Sequence, residues 1–233
     1  MLKRCFVGGL LSAGVNVRDM TMTSLPLIRY KLKTFGEVGG FHFRQSSEDP
    51  ASMEIIFLDG DGLDFSSNMA KNLERIFFKE NFRRAHHTEP GALIDIPQAI
   101  DFYREGYLRA LNVEICRKAA WTVVVDFNYS PASQVLPMLL NELGCNVIAL
   151  NAYVDDGRGG CVPKPKQEGL RQLSAIVSSL GAQAGFWLEP AVESVTLLDE
   201  TGTIYDGIKL LTLVVALQLK TDQRGTIAVP VQA

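Results

Sequence analysis

The run WTVVVD, residues 121–126, constrains the fold more than any other part of the sequence. It is continuously apolar and rich in β-branched residues, which is typical of a strand that a parallel sheet buries on both faces. A predicted helix over Pro131–Leu143 and a predicted strand over Cys145–Leu150 follow it and complete a βαβ unit. A helix over Gln167–Leu180 and a strand over Ala184–Leu188 repeat the pattern. We therefore expect an α/β fold built on a buried sheet.

The first half of the chain carries a second α/β pattern, with a charged connector at residues 79–97. Its predicted helices and strands alternate, which is the pattern of packed layers rather than of separate helical and strand domains. The sequence also ends on a predicted strand, Thr226–Val231, and because a strand needs neighbours we expect further sequence in the natural protein. The predicted elements of the first half are helices over Lys3–Ala13, Leu25–Thr34, Ser66–Phe78 and Gln98–Leu111, and strands over Val15–Met20, Gly40–Gln45 and Met53–Leu58.

Composition narrows the class of protein. The chain has 233 residues, 47% of them hydrophobic, so it can bury a sizeable core. Its formal charge of −3, with both signs mixed along the chain, argues against nucleic-acid binding, and no apolar run reaches the roughly 18 residues of a membrane span. The 4 cysteines form no CxxC pair, which favours a reducing cytoplasm over a disulfide framework or a zinc ribbon.

A series of segments gives the chain a recognisable order. They are GLLSAGVNVRDM, GGFHF, FLDGDGLDFS, ENFRRA, VVVDFNYS, ELGCNVIALN, LGAQAGF and LLDETGTIYDG. This order resembles that of the α-D-phosphohexomutases, the phosphomannomutase and phosphoglucomutase family. The resemblance implies mixed sheets flanked by helices in three-layer α/β/α units. It also implies the later part of a first domain at residues 1–118, a second domain at 119–206 and the opening of a third at 207–233.

The first site that the resemblance implies follows the GGFHF strand. Active relatives read Thr-Ala-Ser-His-Asn-Pro there, and the serine carries the phosphoryl group. This sequence reads RQSSED, which puts Ser46 at the phosphoserine position beside Arg44, with Ser47 and Glu48 in place of histidine and asparagine. A downstream lysine is replaced by Ile56, so the loop loses a cation and gains carboxylates near a would-be phosphate. Two interpretations stay open: a surviving nucleophile at Ser46, or a plain turn.

The second implied site is a Mg²⁺ loop. Relatives carry Asp-Gly-Asp-Ala-Asp-Arg, whose aspartates hold the ion that neutralises the transferring phosphoryl group. Here the stretch reads EPAVES, so that Glu189 and Glu193 remain, Pro190 replaces a glycine and Ser194 an arginine. A weak divalent site and two solvated carboxylates are the alternatives, and the tight geometry that Mg²⁺ demands favours the second.

Other candidates are weaker. Lys164 and Lys166, near Arg158, form a local basic cluster that could face a phosphate or lie solvated in a loop. The segment Asn128–Ser133 lies between a strand and a helix, and we interpret it mainly as a helix cap. The adjacent His86 and His87 are poorly placed to share a metal.

The altered loops on an intact scaffold indicate a module kept for its shape. With the run SLPLIRY, the chain resembles the mutase-like regions fused behind a nucleotidyltransferase in bacterial mannose-1-phosphate guanylyltransferase-like proteins. This resemblance implies a sugar-phosphate-binding or regulatory module of nucleotide-sugar metabolism. The partners to expect are a hexose phosphate, a nucleotidyltransferase domain in the same or a partner chain, and a second copy of the chain. The alternatives are an active mutase that uses Ser46 and Mg²⁺, and a purely structural oligomerisation domain.

Overall fold

The computed structural model describes residues 2–46, 49, 52–96, 98–154, 165–221 and 226–227. The chain divides into two compact units, Met1–Tyr107 and Leu108–Ala233, each of which is described by itself. No helix in the described part of the chain is long and apolar enough to cross a bilayer.

Unit 1 combines helices with two small sheets. A parallel pair joins its first and last strands, and the other two strands form an antiparallel hairpin. In chain order the elements are α1 Leu2–Ser12, β1 Val17–Asp19, α2 Leu25–Phe35, β2 Gly39–Gln45, β3 Met53–Asp59, α3 Ser67–Phe78, β4 Leu93–Asp95 and α4 Ala99–Ala110, whose last three residues lie past the division after Tyr107.

One buried cluster of unit 1 joins α2 to the hairpin. Leu25, Leu32 and Leu58 are buried together, with Ile28 and Ile56 packed against them. This cluster fixes the hairpin of β2 and β3 against α2, because β3 places Leu58 and Ile56 on the same face by its two-residue period. The hairpin is thereby packed against α2 through buried side chains.

Unit 2 contains a five-stranded sheet in the order β6-β5-β7-β8-β9. The strand β5 lies between β6 and β7 and is parallel to both, and β8 and β9 continue the sheet in antiparallel fashion. The elements are α5 Val113–Ala119, β5 Thr122–Asp126, a short 3₁₀ helix Pro131–Gln134, α6 Leu136–Glu142, β6 Asn146–Leu150, α7 Lys166–Leu180, β7 Ala184–Leu188, β8 Val195–Asp199, β9 Ile204–Tyr205 and α8 Gly207–Thr221.

The two faces of this sheet carry separate cores. Val124 packs on one face with Leu173 and Val177 of α7. Val123 and Val125 point to the other face and join a cluster on the side of the 3₁₀ helix and α6. Residues 123–126 of the run WTVVVD are therefore buried, as its composition predicts, whereas Trp121 at its start is exposed. The three-layer α/β/α expectation is confirmed.

The structure corrects the helix predicted over Pro131–Leu143. The 3₁₀ helix and α6 are separate, with Val135 between them at φ −120° and ψ −49°. Pro137 lies in the first turn of α6, where its missing amide hydrogen costs nothing, whereas inside one continuous helix it would leave a carbonyl without a donor. The prediction of a continuous helix was wrong at this proline.

Three short elements were not predicted from the sequence. β4 lies inside the segment predicted to be a connector, and α5 and β9 were not expected. Each is too short for its periodicity to stand out. Of the predicted strand Thr226–Val231, only residues 226–227 lie within the described part of the chain, and they form no strand.

Candidate functional site

The loop end of the hairpin brings Ser46 and Arg44 to a glutamate. The register of β2 and β3 places Arg44 directly opposite Glu54. The Nε of Arg44 donates a hydrogen bond of 2.8 Å to Oε2 of Glu54, and the Oγ of Ser46 donates one of 2.7 Å to Oε1 of the same carboxylate. One carboxylate thus holds both residues that the sequence singled out at this site.

Charge and hydrogen bonding set the protonation of this group. The hydrogen bond from Ser46 is the main cause that lowers the pKa of Glu54, and the hydrogen bond and charge of Arg44 lower it further, against the opposing effect of desolvation. The side chains of Arg44 and Glu54 are 26% and 35% exposed. Glu54 is therefore an anchored carboxylate in contact with the hydroxyl of Ser46, and it stays ionised at neutral pH.

The loop beyond Ser46 is stabilised by its own hydrogen bonds. The amide of Ser46 donates to the carbonyl of Ser52 at 3.0 Å, and the amide of Ser52 donates to the carbonyl of Asp49 at 2.9 Å. The hydroxyl of Ser52 donates to the carboxylate of Asp49. Ser47 and Glu48 lie outside the described residues.

Ile56 occupies the position at which the resemblance implies a lysine. Its side chain packs against the buried cluster of Leu25, Leu32 and Leu58. A side chain committed to this core brings no positive charge to the hairpin end, so Arg44 is the cation that the described structure places against Glu54.

The second candidate loop, Glu189–Ser194, follows β7 and closes on itself. The amide of Glu189 donates to the carbonyl of Ser194 at 3.2 Å, and the amide of Val192 donates to the carbonyl of Glu189 at 2.8 Å. Val192 has φ 60°, an uncommon value for a β-branched residue, and its side chain packs against the core cluster that contains Phe127. The middle of this loop is thus anchored in the hydrophobic core.

This loop does not match the donor set of the family's Mg²⁺ site. Glu189 and Glu193 offer two carboxylates on one short turn, and no group of three or more His, Cys, Asp or Glu side chains suited to a metal occurs among the described residues. Mg²⁺ demands near-octahedral oxygen geometry. Two carboxylates stand where the family motif has three aspartates, so the residues present do not fit that metal site.

Only part of the basic cluster lies within the described residues. Lys164 and Arg158 lie outside the described residues, whereas Lys166 begins α7. Its Nζ lies 5.6 Å from the centroid of the Trp187 ring, which is a cation–π contact. The predicted phosphate-binding role of Lys164 and Lys166 remains a prediction.

The segment Asn128–Ser133 is interpreted from the sequence as a cap. Pro131 does begin the 3₁₀ helix, but Ser130 at the cap position makes no side-chain cap hydrogen bond, and its buried Oγ has no hydrogen-bond partner within the described part of the chain. Asp126 instead organises the preceding turn, because its Oδ1 accepts from the amide of Asn128 at 3.0 Å and from Nδ2 of Asn151 at 2.9 Å.

Sequence reasoning missed Glu54. A usable signal was present, since residues 44 and 54 lie at equal distances from the middle of the loop between β2 and β3. In an antiparallel hairpin such residues face each other, and an arginine opposite a glutamate is a favourable cross-strand pair. Glu54 could not be assigned because the register of β2 against β3 was unknown, and loop length alone does not determine that register.

Comparison with known proteins gives the family. Residues 1–84 match "Phosphoglucomutase/phosphomannomutase, alpha/beta/alpha domain I", and residues 101–202 match domain II of the same family. A phosphoglucomutase/phosphomannomutase of Thermococcus kodakarensis is 32% identical over 97% of this chain and 49% of its own length. A probable phosphoglucosamine mutase of Pyrococcus abyssi is 31% identical over 100% of this chain and 50% of its own.

Solved structures agree on the fold. The crystal structure of a putative phosphomannomutase from Thermus thermophilus superposes with a TM-score of 0.78 at 17% identity, covering 97% of this chain and 52% of that one. The chain spans about half the length of the curated relatives that it matches. With both domain profiles matched in order, the chain belongs to the phosphoglucomutase/phosphomannomutase family of phosphohexomutases.

Proposed function

We propose that this chain is a phosphohexomutase-like module in which phosphoryl transfer has been lost. The observation that carries the proposal is the hydrogen bond of 2.7 Å from the Ser46 hydroxyl to the Glu54 carboxylate. In the family mechanism that the resemblance implies, this serine bears a phosphoryl group of charge near −2 at neutral pH. A fixed carboxylate at the same oxygen opposes that state.

The metal loop supports the same conclusion. A phosphoryl group in transfer needs positive charge beside it, which Mg²⁺ supplies in enzymes of this kind. Glu189 and Glu193 are two carboxylates on a turn whose Val192 is anchored in the core. Two independent features of the chain thus disfavour the transferring state.

We propose a sugar-phosphate-binding or regulatory role in carbohydrate and nucleotide-sugar metabolism. The names of relatives support the ligand class, since they include a phosphoglucomutase/phosphomannomutase and probable phosphoglucosamine mutases, all named for sugar phosphates. A nucleotidyltransferase domain, in the same or a partner chain, is the proposed partner, and the cytoplasm is the proposed location.

An active mutase is the second candidate, and one observation favours it. The Oγ of Ser46 lies within the range of about 2.6–3.2 Å at which a carboxylate can act as general base. In that case Ser46 would carry the phosphoryl group to and from a hexose phosphate. The lowered pKa of Glu54, caused first by Ser46 and then by Arg44, makes this carboxylate a weak base and weighs against the candidate.

Turnover of mannose 1-phosphate and glucose 1-phosphate tests the proposal. The natural protein that carries this chain is assayed with Mg²⁺ and a hexose bisphosphate, as wild type and as Ser46→Ala. We expect no turnover in either form. Turnover that Ser46→Ala abolishes would establish the mutase instead.

Calorimetric titration with the same sugar phosphates then separates the remaining roles. Binding without turnover supports the sugar-phosphate-binding module. An absence of both binding and turnover would leave the structural oligomerisation domain, and the oligomeric state would be measured by sedimentation.

A further inference from the structure

The hairpin end suggests which residue is responsible for the loss of transfer. We propose that Glu54 holds Ser46 in its hydroxyl form and excludes a phosphoryl group from it, with Arg44 as the residue that fixes Glu54 in place. This inference rests on the proposed function, because it explains the inactivity of the serine rather than assuming a new reaction.

The first step concerns the hydrogen bond itself. The Oγ of Ser46 donates to Oε1 of Glu54, and a serine can donate only while it carries its hydroxyl proton. A phosphorylated Ser46 has no proton on that oxygen. Phosphorylation would therefore remove the bond and leave two acceptors facing each other.

The second step concerns charge. The phosphoryl group would add a charge near −2 beside a carboxylate that is itself ionised, and like charges at short range oppose each other's charged forms. Arg44 offsets the conflict only in part, since its Nε already donates to Oε2 of Glu54 at 2.8 Å. The positive charge of this guanidinium is therefore shared with the competing carboxylate.

The third step is the anchoring of Glu54. Arg44 and Glu54 are paired residues of the hairpin register, and their side chains are only 26% and 35% exposed. The backbone thus sets the carboxylate against Ser46, and the ion pair keeps it there. A glutamate on an open loop would move away from a phosphate more easily.

Phosphorus NMR on phosphoserine at position 46 tests the proposal. Phosphoserine is introduced by genetic encoding into the full chain, in wild type and in Glu54→Gln, and the second pKa of the phosphate is titrated. We expect a pKa above the ordinary value of about 6 in the wild type and a lower value in Glu54→Gln. Equal values in the two proteins would overturn the proposal.

Glu89→Gln is the matched control. Glu89 also pairs with an arginine of unit 1, with 3.8 Å between its Oε2 and Nη2 of Arg83. Its removal changes the charge of the chain by the same amount, so a phosphate pKa that falls equally in Glu89→Gln and Glu54→Gln would show a general charge effect and contradict the proposal.

A thermal unfolding cycle covers the case in which phosphoserine prevents folding. Ser46→Asp is made in wild type and in Glu54→Gln, and the loss in Tm is compared. We expect a larger loss when Glu54 is present; equal losses would overturn the proposal. The mutase assay on the same wild-type preparation separates the proposed function from the proposed role of Glu54. Turnover would contradict the proposed function. Equal losses in Tm without turnover would contradict only the role of Glu54.

Discussion

At the residue scale, the hydroxyl of Ser46 should control the acidity of Glu54. Its hydrogen bond is the largest cause that lowers the pKa of Glu54, with Arg44 second. In Ser46→Ala the pKa of Glu54 should therefore rise toward its ordinary value, and in Arg44→Gln it should rise as well. Carbon NMR titration of the glutamate side-chain carboxylates measures both changes.

The sign of the associated pH dependence follows from the same contact. A glutamate whose folded pKa is lowered contributes stability above its unfolded pKa, and the contribution is lost as pH falls through the folded pKa. The difference in stability between wild type and Ser46→Ala should thus shrink on acidification. A pKa of Glu54 that is the same in wild type and Ser46→Ala would show that the hydrogen bond does not persist in solution.

What the sequence could predict at this scale was limited to positions. Ser46 and Arg44 were found because they come after the recognisable segment GGFHF, and both lie at the loop end of the hairpin. Glu54 was missed because its contact depends on register. The left-handed backbone of Val192 was also unpredictable, since a β-branched residue adopts φ 60° only when packing around it compensates.

At the element scale, the packing of β7 against α7 leaves no room for a methyl group at Gly185. A Cβ there would lie 2.6 Å from Cγ2 of Val177. Because Gly185 and Val177 are both buried, we expect Gly185→Ala to lower the free energy of unfolding by about 1–3 kcal/mol through overpacking. Urea unfolding followed by tryptophan fluorescence measures it, and an unchanged stability would mean that α7 shifts freely on the sheet.

Gly8 in α1 provides the opposite case. A Cβ there meets no described atom within 4 Å, and the residue lies inside a helix. Gly8→Ala should therefore raise the free energy of unfolding by roughly 0.5–1 kcal/mol, because alanine loses less backbone entropy than glycine in a helix. Urea unfolding followed by far-UV circular dichroism checks this, and a loss of stability would indicate that α1 is not helical at Gly8 in solution.

Elements were predictable where their patterns were long. The central strand β5 and the helix α7 were indicated by burial on both faces and by helical periodicity. The helix after β5 was predicted in one piece because apolar periodicity continues through Pro137, whereas the backbone cannot. β4 exists only through its pairing with β1, a contact far apart in sequence that no local pattern encodes.

At the scale of the whole molecule, Mg²⁺ should not stabilise the chain. A ligand that binds only the folded state raises the apparent stability in proportion to the logarithm of its concentration over Kd. Two carboxylates on the turn of Glu189 and Glu193 should bind too weakly for millimolar Mg²⁺ to raise Tm. Thermal unfolding with Mg²⁺ and with a chelator is the measurement.

The double variant Glu189→Gln, Glu193→Gln is the control for this loop. It should unfold identically with and without Mg²⁺. A Tm of the wild type that rises with Mg²⁺, together with a loss of that rise in the variant, would restore the metal site.

The order of motifs predicted the family and the layered α/β architecture, because it is a property of the whole chain and tolerates local changes. The bounds 1–118, 119–206 and 207–233 are the domain division that the resemblance implies, whereas the compact units divide the chain between Tyr107 and Leu108 by packing. The first division refers to the family's domains and the second to packing within the chain. The domain bounds stay predictions.

Unfolding should reveal the unequal cores of the two units. Among the described residues, 7 buried hydrophobic residues lie in unit 1 and 16 in unit 2, which buries both faces of a five-stranded sheet. Since burial of apolar surface is the main stabilising contribution, unit 1 should unfold at the lower urea concentration. Both tryptophans of the chain, Trp121 and Trp187, belong to unit 2.

The two spectroscopic signals should therefore separate. Far-UV circular dichroism reports helices of both units, so it should begin to change before tryptophan fluorescence, which reports unit 2. Leu173→Ala removes a fully buried side chain between α7 and the sheet, so it should lower the free energy of unfolding of unit 2 by about 2–5 kcal/mol. The fluorescence transition should then move to lower urea, whereas the first circular dichroism phase should stay in place. Coincident transitions in wild type, shifted together by Leu173→Ala, would instead show that the chain unfolds as one cooperative body.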